Sequence, residues 1–433
     1  MKILQYPSKA ANKRLEKIIE RQLSFSPEIE ESVAAMIEAV RAGGDAALVR
    51  YNRSFDAPDF TAADLRVSQD EINRAWRAAD PDHLALLGRA KDNIMRFHGQ
   101  QRRQSWFLAS EDGSVVGQLV RPVAAAGLYI PGGAGGETPL VSSLLMTAIP
   151  ALVAGVGRIQ LVTPPRRDGS ISPQLLLAAH LLGLKDIFKV GSAWAVAALA
   201  YGTETIPPVD VIAGPGNVYV TVAKKMVAGR VGIDMTAGPS EILIIADESA
   251  DPSHVAADLL SQAEHDVLAS SVLLTPDEAL ARDTAAALEE QLPSLPRREI
   301  AEKALESFGA IVVVADLEVA VELANRIAPE HLELLVVEPF LLMGKIHNAG
   351  ALFLGHHSPE PVGDYFAGPN HVLPTAGSAR FSSALGVEHF VKKTSIIYYS
   401  AEAFQRDASD IIQLAELEGL GAHGRAVQLR LEK

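Results

Sequence analysis

Residues 237–266 read AGPSEILIIADESADPSHVAADLLSQAEHD, and this stretch decides the fold class. Ile242, Leu243, Ile244, Ile245 and Ala246 form a short unbroken apolar run, the mark of a strand buried on both faces, as in a parallel sheet. Asp251-Pro252 is a helix start, a capping carboxylate ahead of a proline at the first helical position. Val255, Ala256, Leu259, Leu260 and Ala263 then recur at helical spacing and give that helix one core face. Gln262 and His265 stand three apart near its end, on one side, at the margin of the apolar face. From there both reach a metal or a substrate. The plainer reading is a helix C-terminus with a histidine facing the dipole.

The same alternation runs outward in both directions. Between 123 and 237, short apolar strands are expected near 127–130, 159–163, 187–190 and 211–213. Helical runs lie between them, from about 140, over 173–182 and 193–201, and from 217. Between 238 and 380 the pattern repeats, with strands near 271–274, 311–314 and 332–337 and helices over 276–291 and from Asp316 to Ile327. This predicts an α/β protein with parallel sheets flanked by helices, and two related sheets. Two glycine-rich loops, YIPGGAGG at 129–136 and GPGN at 214–217, follow strands and precede helices. Backbone N–H groups and the helix dipole favour an anion there. Neither loop is G-x-G-x-x-G, and a structural turn is an equal reading of each. The first 105 residues read as helical, broken at Gly43-Gly44-Asp45 and restarted at Pro81, with no evident site chemistry.

Composition narrows the function. A chain of 433 residues is too long for one ordinary core, and roughly three domains is the prior. A hydrophobic content of 48% supports well-buried cores, and a net charge of −14 argues against nucleic acid and anionic membrane surfaces. There is no cysteine, which excludes disulfides, thiolate metal sites and a cysteine nucleophile. That absence is compatible with the cytoplasm. The N-terminus shows no apolar run of signal-peptide length. The weakly polar stretch 140–156 is broken by Ser142, Ser143, Thr147, Pro150 and Gly155, so it reads as a buried helix rather than a membrane span.

Chemistry-bearing residues gather late in the chain. Glu330 and His331 fall in the connection between a helix and a strand, either a solvated turn or a paired general acid and base. His356, His357, Asp364, Tyr365, Asn370 and His371 crowd an irregular stretch between 355 and 377, and Glu416, Glu418 and His423 mark an apparent tail. Gln262, His265, Asp364 and His423 together make a nitrogen–oxygen donor set that suits Zn²⁺, with Mn²⁺ or Co²⁺ as substitutes.

The motifs GLYIPGG at 127–133, GPGN at 214–217, GPSEILIIAD at 238–247, SQAEHD at 261–266, APEHLEL at 328–334, GDYFAGPNHVLPTAGSARFSSALG at 363–386 and EGLGAH at 418–423 resemble histidinol dehydrogenases. They run in the family's order over nearly the whole chain. The resemblance implies oxidation of L-histidinol to L-histidine through the aldehyde, with two NAD⁺ and one zinc. It implies that Gln262, His265, Asp364 and His423 bind the zinc, and that Glu330 and His331 are the acid–base pair. Ser240, His371 and Glu418 would contact substrate together with the zinc ligands and His331. Tyr129, Asn217 and the residue at position 194 would contact NAD⁺. It further implies a cytoplasmic homodimer with shared active sites, each subunit built of two incomplete Rossmann-like domains. The expected layout is an arm over 1–25, one domain from 26–122 with 238–380, a second over 123–237, and a tail over 381–433 that completes the partner's site.

The chain departs from the family at two places. Where the family has glutamine after Gly-Gly-Ala, this chain has Gly191-Ser192-Ala193-Trp194, and a tryptophan ring would stack on the cofactor rather than accept a hydrogen bond. The loop over 131–140 is also a few residues longer. Missing cysteine adds an independent point. An aldehyde that cannot form a thiohemiacetal must react as its hydrate, with water activated by a base, and Glu330 is the candidate. Two other readings are a paralogous dehydrogenase acting on another amino alcohol or a polyol, and a non-catalytic anion-binding protein.

Overall fold

The computed structural model describes residues 1–21, 26–132, 138–236 and 238–432. Residues 133–136 of the first glycine-rich loop lie outside them. The chain divides into two compact units, Met1–Gln101 with Val123–Phe390, and Arg102–Pro122 with Val391–Lys433. Among the described residues no helix is long and apolar enough to cross a membrane.

The first unit holds two parallel sheets. One contains β4 (Ala125–Tyr129), β5 (Arg158–Thr163), β6 (Asp186–Lys189), β7 (Val211–Ala213) and β8 (Gly232–Ile233), in the order β6-β5-β4-β7-β8. The other contains β1 (Ile3–Gln5), β9 (Glu241–Ala246), β10 (Ser270–Thr275), β11 (Gly309–Val313), β12 (His331–Leu335) and β13 (Ala351–Leu354), in the order β1-β11-β10-β9-β12-β13. Leaving β1 aside, the two sheets repeat one strand order, as the repeated pattern in the sequence suggests.

Helices cover both faces, which is why the strands carry continuous apolar runs. Every residue of β9 is buried. The helix α9 (Pro252–Ala263) starts as its sequence dictates, with the Asp251 carboxylate accepting the Ser253 N–H at 2.8 Å and Pro252 in the first turn. Val255, Leu259 and Leu260 are buried against the sheet, each contributing roughly 1.5–3 kcal/mol of transfer free energy. Helices α10 (Glu278–Gln291), α11 (Arg298–Phe308), α12 (Leu317–Ile327) and α13 (Pro339–Met343) complete the six-stranded layer, with α1 (Lys9–Ile19) from the N-terminus. The five-stranded sheet is covered by α5 (Val141–Ala154), α6 (Pro173–Leu181), α7 (Ser192–Tyr201) and α8 (Val218–Val227).

Residues 26–122 do not join the sheet of 238–380 in the expected way. Helices α2 (Pro27–Phe55) and α3 (Gln69–Arg77) pack on α7, α8 and α6, and α4 (Pro81–Gly99) packs chiefly on α5. The kink expected at Gly43-Gly44 is present, at Gly44 with φ +49°. Residues 1–25 are likewise more than an arm, since β1 pairs in parallel with β11 and Ala11, Leu15 and Ile18 enter the core. An amphipathic helix declares that it has an apolar face but not which sheet that face will cover.

In the second unit β2 (Trp106–Ala109), β3 (Val115–Pro122) and β14 (Val391–Tyr398) form an antiparallel sheet in the order β14-β3-β2. The segment expected as tail folds into α15 (Ala401–Leu417) and α16 (Gly421–Leu431). Ser400 caps α15, and Arg406 bridges Asp112 at 2.8 Å.

Candidate active site

Because β9, β12 and β13 are parallel and in register, with His331 opposite both Ile242 and Ala351, their first residues lie along one edge of the sheet. Glu241 opens β9 and His331 opens β12. The helix α9 runs back over the sheet from β9, so its last turn, with Gln262, returns to this amino-terminal edge. The chain after β13 forms a short helical turn α14 (Glu360–Val362) that runs into a π-type turn over Gly363–Ala367 and delivers Asp364. Open α/β sheets ordinarily use the carboxyl edge, so this cluster sits on the opposite one.

Glu330 and His331 are buried, which rules out a solvated turn. The αL residue Ala328 (φ +54°) ends α12 and turns the chain into the sheet. Gly350 allows the neighbouring segment to pass close by, since a Cβ there would lie 2.5 Å from the Glu330 carbonyl oxygen. Glu330 Oε2 accepts the Glu241 N–H at 2.9 Å. His331 Nδ1 lies 2.9 Å from the Glu241 carbonyl, 3.2 Å from Gln262 Nε2 and 3.6 Å from Glu330 Oε2. The Glu241 carbonyl, which can only accept, is nearer to Nδ1 than the Gln262 amide nitrogen, which can only donate, so the carbonyl decides the tautomer. Nδ1 therefore carries the proton, and the lone pair is on Nε2. That atom is buried without a hydrogen-bond partner and faces Asp364 Oδ1 at 4.0 Å.

The surroundings shift the titration of several of these groups. Burial pushes the His331 and His371 imidazoles down to about 4, with the His265 ring adding to the fall in each. Burial pushes Glu330 well above the usual carboxylate range, and the nearby Glu241, Asp364 and Glu360 charges add to it. Glu360 rises to about 8, through burial and then Asp364, while burial takes Asp364 to about 6. Buried Glu333 rises too, beside Asp258. His371 donates from Nδ1 to the Asp364 carbonyl at 3.0 Å, and Asn370 anchors this loop on the Met146 carbonyl at 2.6 Å. A cavity of about 180 Å³ opens between Phe353, Asp364, His371 and Leu373.

The residues present fit a divalent cation. Gln262 Oε1 is buried and unpartnered, and His331, Glu360 and Asp364 offer ligand atoms within 4.8 Å of one another. Neutral imidazoles beside a carboxylate and an amide oxygen are a zinc donor set. Of the expected ligands, Gln262 and Asp364 flank this point. His265 lies beyond the helix end, after the C-cap Glu264, and is exposed rather than on the helix face. Ser240 directly precedes Glu241. His423 and Glu418 lie in the second unit, where Glu418 is the C-cap of α15 and His423 is in the first turn of α16, both exposed. Glu241, Glu333, Glu360 and Asp258 were not expected in the site. They lack a sequence signal, since a lone glutamate at a strand start or inside an apolar run reads as an edge position.

The expected cofactor residues lie at the carboxyl edge of the five-stranded sheet. Tyr129 ends β4, and its hydroxyl accepts the Ser192 N–H at 3.0 Å. Asn217 caps α8 through the Tyr219 and Val220 N–H groups. Gly214 has φ +123°, and a Cβ there would sit 2.1 Å from the Tyr129 carbonyl oxygen, so only glycine brings the two strand ends together. Trp194 corrects the expectation of a ring stacked on NAD⁺. It is 4% exposed, packs against Tyr51 and Phe55, and donates its indole N–H to Asn52 Oδ1 at 3.1 Å. It is a core residue, the common fate of a tryptophan in a buried helix.

The family model for histidinol dehydrogenase matches residues 19–431. The chain belongs to the histidinol dehydrogenase family. A histidinol dehydrogenase of Oleidesulfovibrio alaskensis is 57% identical over 403 residues, 93% of each chain. That of Heliobacterium mobile is 51% identical over 433 residues and 100% of both. The crystal structure of histidinol dehydrogenase from Elizabethkingia anophelis superposes with a TM-score of 0.92 at 38% identity, covering 100% of this chain and 98% of that one. The protein is thus an oxidoreductase of histidine biosynthesis, and the amino-edge cluster, with its buried acid–imidazole pair, is its candidate catalytic centre.

Proposed function

We propose that the protein oxidises L-histidinol to L-histidine through L-histidinaldehyde, consuming two NAD⁺ and one water. The observation that carries this reading is the buried Glu330–His331 pair, with the Nε2 lone pair of His331 open toward Asp364, in a chain that has no cysteine. Zinc held by Gln262, His265, Asp364 and His423 would supply a template and weak Lewis acid for the substrate's amine and imidazole, and NAD⁺, beside Tyr129 and Asn217, the hydride acceptor.

The protein's own residues carry the protons. His331 Nε2 takes the hydroxyl proton as hydride leaves the alcohol carbon, giving the aldehyde. The Nδ1–H bond to the Glu241 carbonyl holds the ring in the tautomer this requires. Glu330 takes a proton from water as the oxygen adds to the aldehyde. Its raised pKa makes it a stronger base than an exposed carboxylate. His331 returns its first proton to the former aldehyde oxygen, completing the hydrate, and then takes a hydroxyl proton from that hydrate as the second hydride leaves, giving the acid. Ser240, His371 and Glu418 bind the substrate.

A cytoplasmic homodimer with shared sites completes the proposal. Exposed Trp106, Phe107, Leu108, Ile397 and Leu417 in the second unit support a subunit interface there, and exposed His423 and Glu418 support a role toward a partner. The test is NADH formation by the purified protein from L-histidinol, set against other amino alcohols and polyols, before and after zinc removal and reloading. Preference for histidinol, lost with the metal and regained with it, supports the reading. Equal rates with other amino alcohols would replace it with a paralogous activity.

A further inference from the structure

Arg21 is the one strong cation buried beneath the catalytic pair among the described residues, and nothing in the proposed chemistry uses it. It follows α1, and only 8% of it is exposed. Its guanidinium donates to the Leu268 carbonyl at 2.6 Å, the Pro239 carbonyl at 3.3 Å and Glu241 Oε1 at 2.6 Å. These acceptors lie just ahead of β9 and β10 or at the start of β9, so one planar fork ties the amino-terminal edge together.

Glu241 passes that anchoring on. Its Oε1 accepts the Ala376 N–H at 3.2 Å and its Oε2 the Glu330 N–H at 3.2 Å, while its own N–H donates to Glu330 Oε2 at 2.9 Å. Its backbone carbonyl takes the His331 Nδ1 proton. Glu241 and Glu330 thus hold each other by reciprocal carboxylate-to-amide bonds. The same carboxylate joins the loop of the catalytic pair to the loop that follows His371. A buried carboxylate making these bonds stays ionised only with a cation at hand, and Arg21 is that cation.

We propose that Arg21 and Glu241 are positioning residues for catalysis, an ion pair that fixes the Glu330 carboxylate and the His331 ring for proton transfer. The proposal rests on the reading of Glu330 and His331 as the acid–base pair. It gives the N-terminal β1–α1 segment, which shows no chemistry in sequence, a catalytic purpose: it delivers Arg21.

Oxidation of L-histidinaldehyde by the zinc-loaded protein, with NAD⁺, tests this through the variants Arg21→Met and Glu241→Gln, each alone and combined with Glu330→Gln. Zinc content and melting temperature are followed alongside. Each single change is expected to lower kcat roughly 10- to 100-fold, the usual cost of losing an outer-shell partner, with KM within about two-fold of the parent. In the Glu330→Gln background the further loss should shrink to less than about three-fold, because the group being positioned is already gone. Arg21→Lys keeps the charge without the fork. It serves if Arg21→Met does not fold, and is expected to lose several-fold in kcat with the same non-additivity. Losses that multiply in the two backgrounds overturn the proposal, as does a lowered melting temperature with kcat per folded site at the parental value. If Glu330→Gln alone keeps the full rate, the assignment of Glu330 falls, and the positioning role with it. A slow Glu330→Gln with multiplying losses removes the positioning role alone.

Discussion

Trp194→Gln, which restores the family's usual residue, separates a core role from a cofactor role. With Trp194 4% exposed, nearly all of its surface is removed from water. A tryptophan buries about 150–250 Å², and at about 25 cal/mol per Å² that is on the order of 4–6 kcal/mol. Glutamine retains the inner methylene groups and an amide N–H to replace the indole donor at Asn52, so the expected net loss is about 3 kcal/mol, at the low end of large-to-small core substitutions. Tyr51 and Phe55 lose their ring partner, which loosens the contact between α2 and α7. Thermal melts should fall by roughly 5 °C, while KM for NAD⁺ and for histidinol each stay within about two-fold of the parent. Asn52→Ala in both backgrounds checks the route, because the pair shares a hydrogen bond and its losses should not add. A KM for NAD⁺ raised about ten-fold with an unchanged melt would show that the ring serves the cofactor, and the reasoning from burial would be wrong.

Glu330→Gln should slow NADH formation from supplied histidinaldehyde by about 10²–10⁴-fold and the first hydride transfer far less, whereas His331→Asn should slow both; single-turnover measurements from each substrate separate them. Equal slowing of both halves by Glu330→Gln would refute the division of labour. Asp364→Asn should lose zinc by elemental analysis and keep its melting temperature, because the change relieves a crowded acid cluster rather than opening a core; full zinc occupancy would remove Asp364 from the ligand set. Inactive His423→Ala and His331→Ala subunits, mixed and refolded, should regain activity if the C-terminal segment serves its partner, and a confirmed but inactive heterodimer would place that segment with its own subunit.

What the sequence shows of this fold is what short-range physics encodes. The buried run at β9, the Asp251-Pro252 start of α9, the Asp316 cap of α12 and the Gly44 kink all depend on neighbours a few residues away, and all stand where the sequence puts them. Glu330 and His331 were legible as a pair because they are adjacent. The features that escape are long-range. Arg21 meets Glu241 across 220 positions, and Trp194 meets Asn52 across 142, with no local pattern to announce either. β14 falls in a stretch that reads as tail, and nothing local announces its pairing with β3. Glu333 and Asp258 look like polar interruptions of apolar runs until the fold sets one against the other. His265 shows the limit of periodicity: the three-residue spacing from Gln262 is real, but the helix stops at Ala263 and a turn carries the ring instead.

The most direct test of the central claim is a count. The purified, zinc-loaded protein is given a limiting amount of L-histidinol with excess NAD⁺, and NADH and L-histidine are measured at completion. Two NADH and one L-histidine are expected for each histidinol, with no free aldehyde accumulating and no turnover after chelation. One NADH per histidinol with aldehyde as the product, or undiminished turnover without metal, would contradict the claim.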